Sequence, residues 1–305
     1  MSSVIEAAAL TKHYGAVRAL QALDLAVEQG EVFGYLGPNG AGKSTTIRLL
    51  LDFIRPTAGN VRVFGLDARR GGLAIRRRTG YLSGDLSLYP AMTGRELLTY
   101  AAHLRGGVGI DAAYVERLLD RFDADPTVPL RELSRGNRQK IGIVHAFMHR
   151  PDLLVLDEPS TGLDPLMQQE FYRLLRETTA EGRTVFISSH ILPEVDQVAD
   201  HVGIIRKGVL EAVEEPAVLK QRAGRFVEAR FGGASAGAEA EVAERLGRLP
   251  GVSDVALTDG ALACRIEGSM DALVKALAQY KVEELTTREA SLEDVFLGYY
   301  EREAK

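Results

Sequence analysis

The run GPNGAGKST, residues 37–45, sets Gly37, Gly42, Lys43 and Ser44 at the spacing G-x-x-x-x-G-K-[ST]. With Pro38, Asn39, Gly40 and Ala41 between the outer glycines, the backbone can curl until successive N–H groups point into one concavity, which suits phosphate oxygens. Lys43 is placed to reach β- and γ-phosphates, Ser44 to ligate Mg²⁺, and the helix expected from Thr45 onward adds its positive end. A second run, DLLVLDEP, ends an apolar stretch in Asp157 and Glu158. Asp157 is suited to support Mg²⁺ from behind its direct ligands, and Glu158 to polarise an attacking water. His190 closes RTVFISSH, where it would reach a γ-phosphate or the same water, although a lone histidine is more often structural. Tyr14 leaves two readings open, plain packing or an aromatic face for a base, a stacking worth about 1–3 kcal/mol where measured.

These groups need elements to hold them. EVFGYLG is an apolar strand running into the glycine loop, and TTIRLLLDF has helical spacing, so the order is strand, phosphate loop, helix. DLLVLDEP and RTVFISSH are near-continuous apolar runs of the kind buried parallel strands show, with a helix expected from about 165 to 179 between them. Residues 4–10 and 20–27 alternate as antiparallel strands, and the stretch from 92 to about 122 has helical periodicity. Residues 1–218 therefore read as an α/β domain with a parallel sheet core, an antiparallel β subdomain and a helical subdomain. After Pro216 the character changes. Residues 219–305 alternate strands and helices, with Asp259-Gly260 as a hairpin turn, and read as a small α+β domain of ferredoxin-like order.

Bulk composition fits that division. A chain of 305 residues is long for one core, and 46% hydrophobic with 26% charged residues is an ordinary globular balance. The net charge of −5 argues against a nucleic-acid partner. A single cysteine, Cys264, excludes a disulfide framework and a thiolate zinc site, and suits a reducing cytosol. The N-terminal residues do not read as a signal peptide, and no stretch approaches 18 uninterrupted apolar residues, so nothing is expected to span a bilayer.

Phosphate loop, acidic pair and histidine point to nucleotide hydrolysis without fixing its class. No N-K-x-D base-reading motif of a GTPase is present, nor an arginine cluster demanding a kinase lid. The run LSRGNRQK, residues 133–140, resolves the choice. It lies one helix upstream of LLVLDEP and, with Tyr14, the loop, residues 160–164 and His190, resembles the ATP-binding-cassette ATPases in that family's order of motifs, over residues 4–215. The resemblance implies ATP and Mg²⁺ as ligands and two copies packed head to tail. Each copy's signature, here Leu133, Ser134, Arg135, Gly136 and Asn137, would close over the other's nucleotide. Ser134 can cap the helix it begins, and Gly136 with the helix N-terminus presents donors. Asp164 resembles the family's D-loop aspartate in the same interface.

The signature departs from the usual L-S-G-G-Q at Arg135 and Asn137, and Gly84 stands where the family has a Q-loop glutamine, leaving Asp85 as the group that would replace it at the metal. The stretch DLSLYPAMTGRELL and the C-terminal extension resemble exporter ATPases whose permease is a separate chain, drug and antibiotic self-resistance exporters among them. The resemblance thus implies a homodimeric ATPase subunit at the cytoplasmic face of the membrane, with residues 85–104 docking the permease. The acids of the C-terminal domain, Glu239 and Glu241 among them, sit at solvent spacing. Val295, Phe296, Tyr299 and Tyr300 form an apolar stripe, and the domain would support dimerisation or regulation. The alternatives are a soluble ATPase acting on ribosomes or DNA, against which stand the single cassette and the lack of a coiled-coil insertion, and a regulatory nucleotide-binding module, against which stands the intact acidic pair.

Overall fold

A computed structural model describes residues 3–84, 89–106, 110–231, 236–258 and 261–301. The chain divides into two compact units, Met1–Glu214 and Glu215–Lys305. The division falls just ahead of a helix at 216, rather than after residue 218.

In the first unit, β1 (Ser3–Tyr14) and β2 (Val17–Glu28) form an antiparallel pair whose alternating apolar residues Ile5, Leu10, Leu20, Leu23 and Val27 are buried on one face. β3 (Val32–Leu36) is buried throughout and leads through the glycine loop into α1 (Lys43–Leu50). β4 (Ala58–Val63) and the short β5 (Leu66–Asp67) return to the antiparallel sheet, in the order β2-β1-β4-β5. α2 (Ala68–Arg78) is capped by Asp67 and passes directly into β6 (Thr79–Leu82). The helical stretch expected from 92 is two helices, α3 (Gly94–Leu104) and α4 (Ala112–Arg121), followed by α5 (Arg135–Phe147). Thr93 and Glu96 form a reciprocal capping box at α3, and Asp111 caps α4, so each start is written in a local side chain.

The second sheet then fills in. β7 (Leu153–Asp157) and β8 (Thr184–Ser189) flank α6 (Pro165–Ala180), and α7 (Leu192–Val198), β9 (His201–Arg206) and β10 (Val209–Glu214) complete the unit. Its order is β10-β9-β3-β8-β7-β6, parallel except for the β9–β10 hairpin. Leu97, Leu98, Leu118, Leu119, Phe122, Ile141 and Phe147 make a continuous apolar layer between the helical lobe and this sheet. Arg121 of α4 forks between Glu170 and Glu177 of α6, fastening the lobe's edge.

The second unit begins with α8 (Pro216–Ala223) and continues as β11 (Arg225–Phe231), α9 (Ala236–Gly247), β12 (Val252–Thr258), β13 (Ala261–Ile266), α10 (Asp271–Leu277), β14 (Val282–Glu289) and α11 (Leu292–Glu301). Its sheet is antiparallel in the order β12-β13-β11-β14, over a core of Val227, Leu246, Leu262, Ile266 and Leu273. Val295 is buried, and Cys264 is buried and free. The Asp259-Gly260 turn lies outside the described residues, as do the side chains of Glu239, Glu241, Tyr299 and Tyr300.

Candidate functional site

The glycine loop sits at the C-terminal end of β3, where an α/β sheet gathers its chemistry. Gly40 and Gly42 hold φ of +79° and +116°, a region that L side chains rarely adopt, and this lets the loop turn back over α1. A Cβ on Gly37 would lie 2.4 Å from the Ile205 carbonyl oxygen, so this glycine is fixed by packing. The Lys43 side chain is 6% exposed and curls into the loop, donating from Nζ to the Gly37 carbonyl at 2.6 Å. Ala41 is buried, and Pro38 and Asn39 line the mouth.

Strand order brings the distant acids here. β7 and β8 are neighbours, and β8 lies beside β3, so the ends of all three strands meet. Ser44 Oγ donates to Asp157 Oδ2 at 2.9 Å, and Ser188 Oγ donates to Asp157 Oδ1. Glu158 leaves the strand with φ of +51° while its N–H still donates to the Ser188 carbonyl at 3.0 Å. That turn aims its carboxylate at Lys43 Nζ, 3.5 Å away, and at His190 Nδ1, 2.6 Å away. A cleft of about 300 Å³ opens between these groups. Arg48, Tyr81, Ser83, Gly84 and Thr161 share its lining. Burial pushes the Tyr81 phenol up, opposed by the Ser83 hydroxyl and reinforced by Asp157.

The other expected residues fall in two groups. Ser134 caps α5 by accepting from the Asn137 N–H at 3.2 Å, and Asp164 caps α6 by accepting from Leu166 and Met167. Gly136 packs so tightly on the loop before α6 that a Cβ would lie 2.4 Å from the Gly162 carbonyl oxygen. Arg135 lines the cleft of its own chain, alongside Glu158 and Thr161. Tyr14 is 45% exposed, with the Lys12 ammonium 5.0 Å above its ring, and does not line the cleft. Thr45 lines an adjoining groove with Gly40 and Gly42 of the loop and with Val17, Arg18, Gln21 and Lys207, whose sequence positions gave no hint of it. Asp85 lies outside the described residues. At Gly84 an added Cβ would stand 3.3 Å from the Asp157 carbonyl oxygen, so the position faces Asp157.

Gln139 also escaped the sequence reading. It is 3% exposed and donates to the Pro159 carbonyl at 2.6 Å, tying α5 to the turn that carries Glu158. Its neighbour Lys140, also buried, donates to the Asp123 carbonyl at 3.3 Å. Much of the polarity in residues 133–140 therefore has intramolecular partners.

Among the described residues no cluster of three or more His, Cys, Asp or Glu could hold a metal, and no helix is long and apolar enough to cross a membrane. Comparison with known proteins gives concordant matches. The sequence profile of the ABC transporter family matches residues 20–161. The bacitracin transport ATP-binding protein BcrA of Bacillus licheniformis is 38% identical over 75% of this chain and 75% of its own length. The daunorubicin/doxorubicin resistance ATP-binding protein DrrA of Streptomyces peucetius is 36% identical over 96% of this chain and 91% of its own. Among solved structures, an ATP-binding subunit of an ABC transporter superposes with a TM-score of 0.66 at 30% identity, covering 72% of this chain and 93% of that one. A dimeric post-hydrolysis cassette bound to ADP and phosphate gives 0.64 at 21% identity, covering 69% and 98%, a likeness of fold alone.

Proposed function

This chain belongs to the ATP-binding proteins of ABC transporters, and from that premise we propose that it hydrolyses ATP in a homodimer that drives a separate permease of the drug or antibiotic export type. The roles that name these relatives, bacitracin transport and daunorubicin/doxorubicin resistance, support the direction and cargo class. The observation that carries the reading is Glu158, held between Lys43 at 3.5 Å and His190 at 2.6 Å beside the phosphate loop.

Each group then has a part. The loop N–H groups and Lys43 bind the β- and γ-phosphates, and Lys43 exchanges its loop carbonyls for phosphate oxygens. Ser44 and Asp157, already 2.9 Å apart and bearing only oxygen donors, fit an ion that takes few protein ligands and keeps phosphate and water for the rest. Mg²⁺ there would neutralise charge developing on the γ-phosphoryl group. Glu158 accepts the proton of the attacking water, and His190 fixes the carboxylate's orientation from Nδ1. Ser134, Gly136 and Asn137 lie at the start of α5, whose positive N-terminal end a second copy's γ-phosphate would engage. ATP then stabilises the pair and its hydrolysis releases it, a two-state element at the membrane's cytoplasmic face. In this reading the second unit, whose strands and helices from β11 to β14 follow the order βαββαβ, supports dimerisation or regulation.

Glu158→Gln keeps the hydrogen bond to His190 but removes the base. It should lower phosphate release at least a hundredfold while leaving ATP binding and the ATP-bound dimer intact, and Lys43→Ala should lose binding itself. Parental turnover by Glu158→Gln would refute the assignment of the base.

A further inference from the structure

Glu194, on α7, is 3% exposed and has no part in the chemistry above. A carboxyl in so buried a place costs free energy unless its surroundings need it, and an apolar side chain of similar volume would fill the space without that cost. Its contacts indicate the need. Oε2 accepts from Ser189 Oγ at 2.8 Å, and Ser189 is wholly buried at the end of β8. The same hydroxyl accepts from the Ile191 N–H at 2.9 Å, so Ser189 spans the turn whose middle residue is His190. Ser160, 1% exposed, lies in the turn that follows Glu158 and Pro159. Burial pushes the Glu194 carboxyl up. The Ser160 and Ser189 hydroxyls oppose that push, Glu158 adds to it, and His190 again opposes it. The carboxylate thus holds the turn of His190 through Oε2, while its Oε1 makes no hydrogen bond to protein.

We propose that Glu194 is a positioning residue for hydrolysis, bracing through Ser189 the turn that holds His190 against Glu158. The inference rests on the reading of Glu158 as the base. With the carboxylate in place, the Ser189 hydroxyl has a fixed direction: it donates to Glu194 and accepts from Ile191. Without it the hydroxyl can rotate, the turn loses its tie to α7, and His190 Nδ1 is no longer held 2.6 Å from Glu158. A misplacement of about 1 Å at a reacting centre can cost about a hundredfold in rate.

The test uses the full-length chain and compares Glu194→Ala, Glu194→Gln and Ser189→Ala for steady-state Mg·ATP hydrolysis, equilibrium ATP binding in chelator and thermal unfolding. Glu194→Ala should lower kcat about ten- to a hundredfold with KM and the ATP dissociation constant changed less than about threefold. Glu194→Gln retains an oxygen to accept from Ser189 and should recover most of the lost rate. Ser189→Ala should resemble Glu194→Ala, and the double variant should be no worse than either, because the two act through one contact. Parental kcat in Glu194→Ala would overturn the proposal. So would equal losses in Glu194→Ala and Glu194→Gln accompanied by loss of ATP binding, the mark of a merely structural residue. If Glu194→Ala does not fold, Ser189→Ala decides by the same criteria. Glu158→Gln in the same assay separates the premises: turnover there overturns the base, whereas an inert Glu158→Gln beside a fully active Glu194→Ala overturns the brace alone.

Discussion

Gly136→Ala adds one methyl group at the most crowded contact of the signature helix. The new Cβ would stand 2.4 Å from the Gly162 carbonyl oxygen, and since side-chain carbons keep at least 3.0 Å from such atoms, the start of α5 and the loop before α6 must part by about 0.6 Å. The obstacle is backbone, so it cannot swing aside as a flexible side chain would. Overpacking of this kind costs about 1–3 kcal/mol. Opposing it is the better helix propensity of alanine, up to about 1 kcal/mol in a helix interior and less in the first turn. The steric loss wins, leaving a net destabilisation of about 1–2 kcal/mol, or about 2–8 °C in Tm for a unit of this size. Function should suffer more than stability, because the displaced loop carries Thr161 of the cleft and Asp164. Phosphate release should fall about ten- to a hundredfold, with ATP affinity for the isolated subunit changed far less, since the two displaced segments contribute only Arg135 and Thr161 to their own chain's cleft. Calorimetry with a phosphate-release assay reads both numbers. Parental kcat and Tm together would refute the reasoning, showing that the two segments have room to separate.

Three further outcomes follow from single contacts. Ser134→Ala removes the side-chain cap of α5 and should cost about 1 kcal/mol of stability, with hydrolysis lowered well beyond any change in ATP binding by a monomer; equal effects on both would count against an intersubunit role. His149 is held down to about 4 by burial and by the Arg105 guanidinium, against an ordinary value of 6.5. The depressed value means that the unfolded chain binds the extra proton first, so this contribution is complete above pH 6.5 and lost as pH falls toward 4, by at most about 3 kcal/mol. Denaturant titrations of His149→Gln should show a shallower acid limb, and an unchanged limb would contradict the assignment. Ending the chain after Glu214 leaves the cleft and its supporting cores inside the retained unit. ATP binding should persist while ATP-driven dimerisation, followed by sedimentation, weakens; unchanged dimerisation would remove the proposed role of the second unit.

The parts of the site legible in the sequence were those written in contiguous residues. The loop of residues 37–45 and the acids after LLVL declare themselves because an apolar strand ends where they begin. Strands with little apolar content were harder. β4 shows only Val61 and Val63 buried, and β10 alternates half-buried with exposed residues, so neither carries a strong apolar run. β9 is different: Val202, Ile204 and Ile205 are buried, and its apolar run was open to reading. The pairing of Glu158 with His190 depends on β7 lying beside β8, which no local pattern states. Gln139 and Glu194 were opaque for the same reason. Both are polar residues in helices, and their buried partners, the Pro159 carbonyl and the Ser189 hydroxyl, become their neighbours only once the chain has folded.

The phosphate loop is seated between two sheets. A Cβ on Gly37 would strike the Ile205 carbonyl on β9, and one on Gly42 would come within 2.7 Å of the Ala19 carbonyl on β2. Gly208, at the β9–β10 turn, donates its N–H to the Ala41 carbonyl and accepts from the Gln21 N–H, lacing the loop to both. Substitution scans of this loop will therefore mix two kinds of failure. Intolerance at Gly37 would report on how the sheets assemble and at Gly42 on packing and its positive φ together, whereas Gly40, with no neighbour within 4 Å of an added Cβ, tests backbone conformation alone. Mechanically, the loop serves as a joint: any strain that phosphate binding puts into it passes at once to the antiparallel sheet on one side and the parallel sheet on the other.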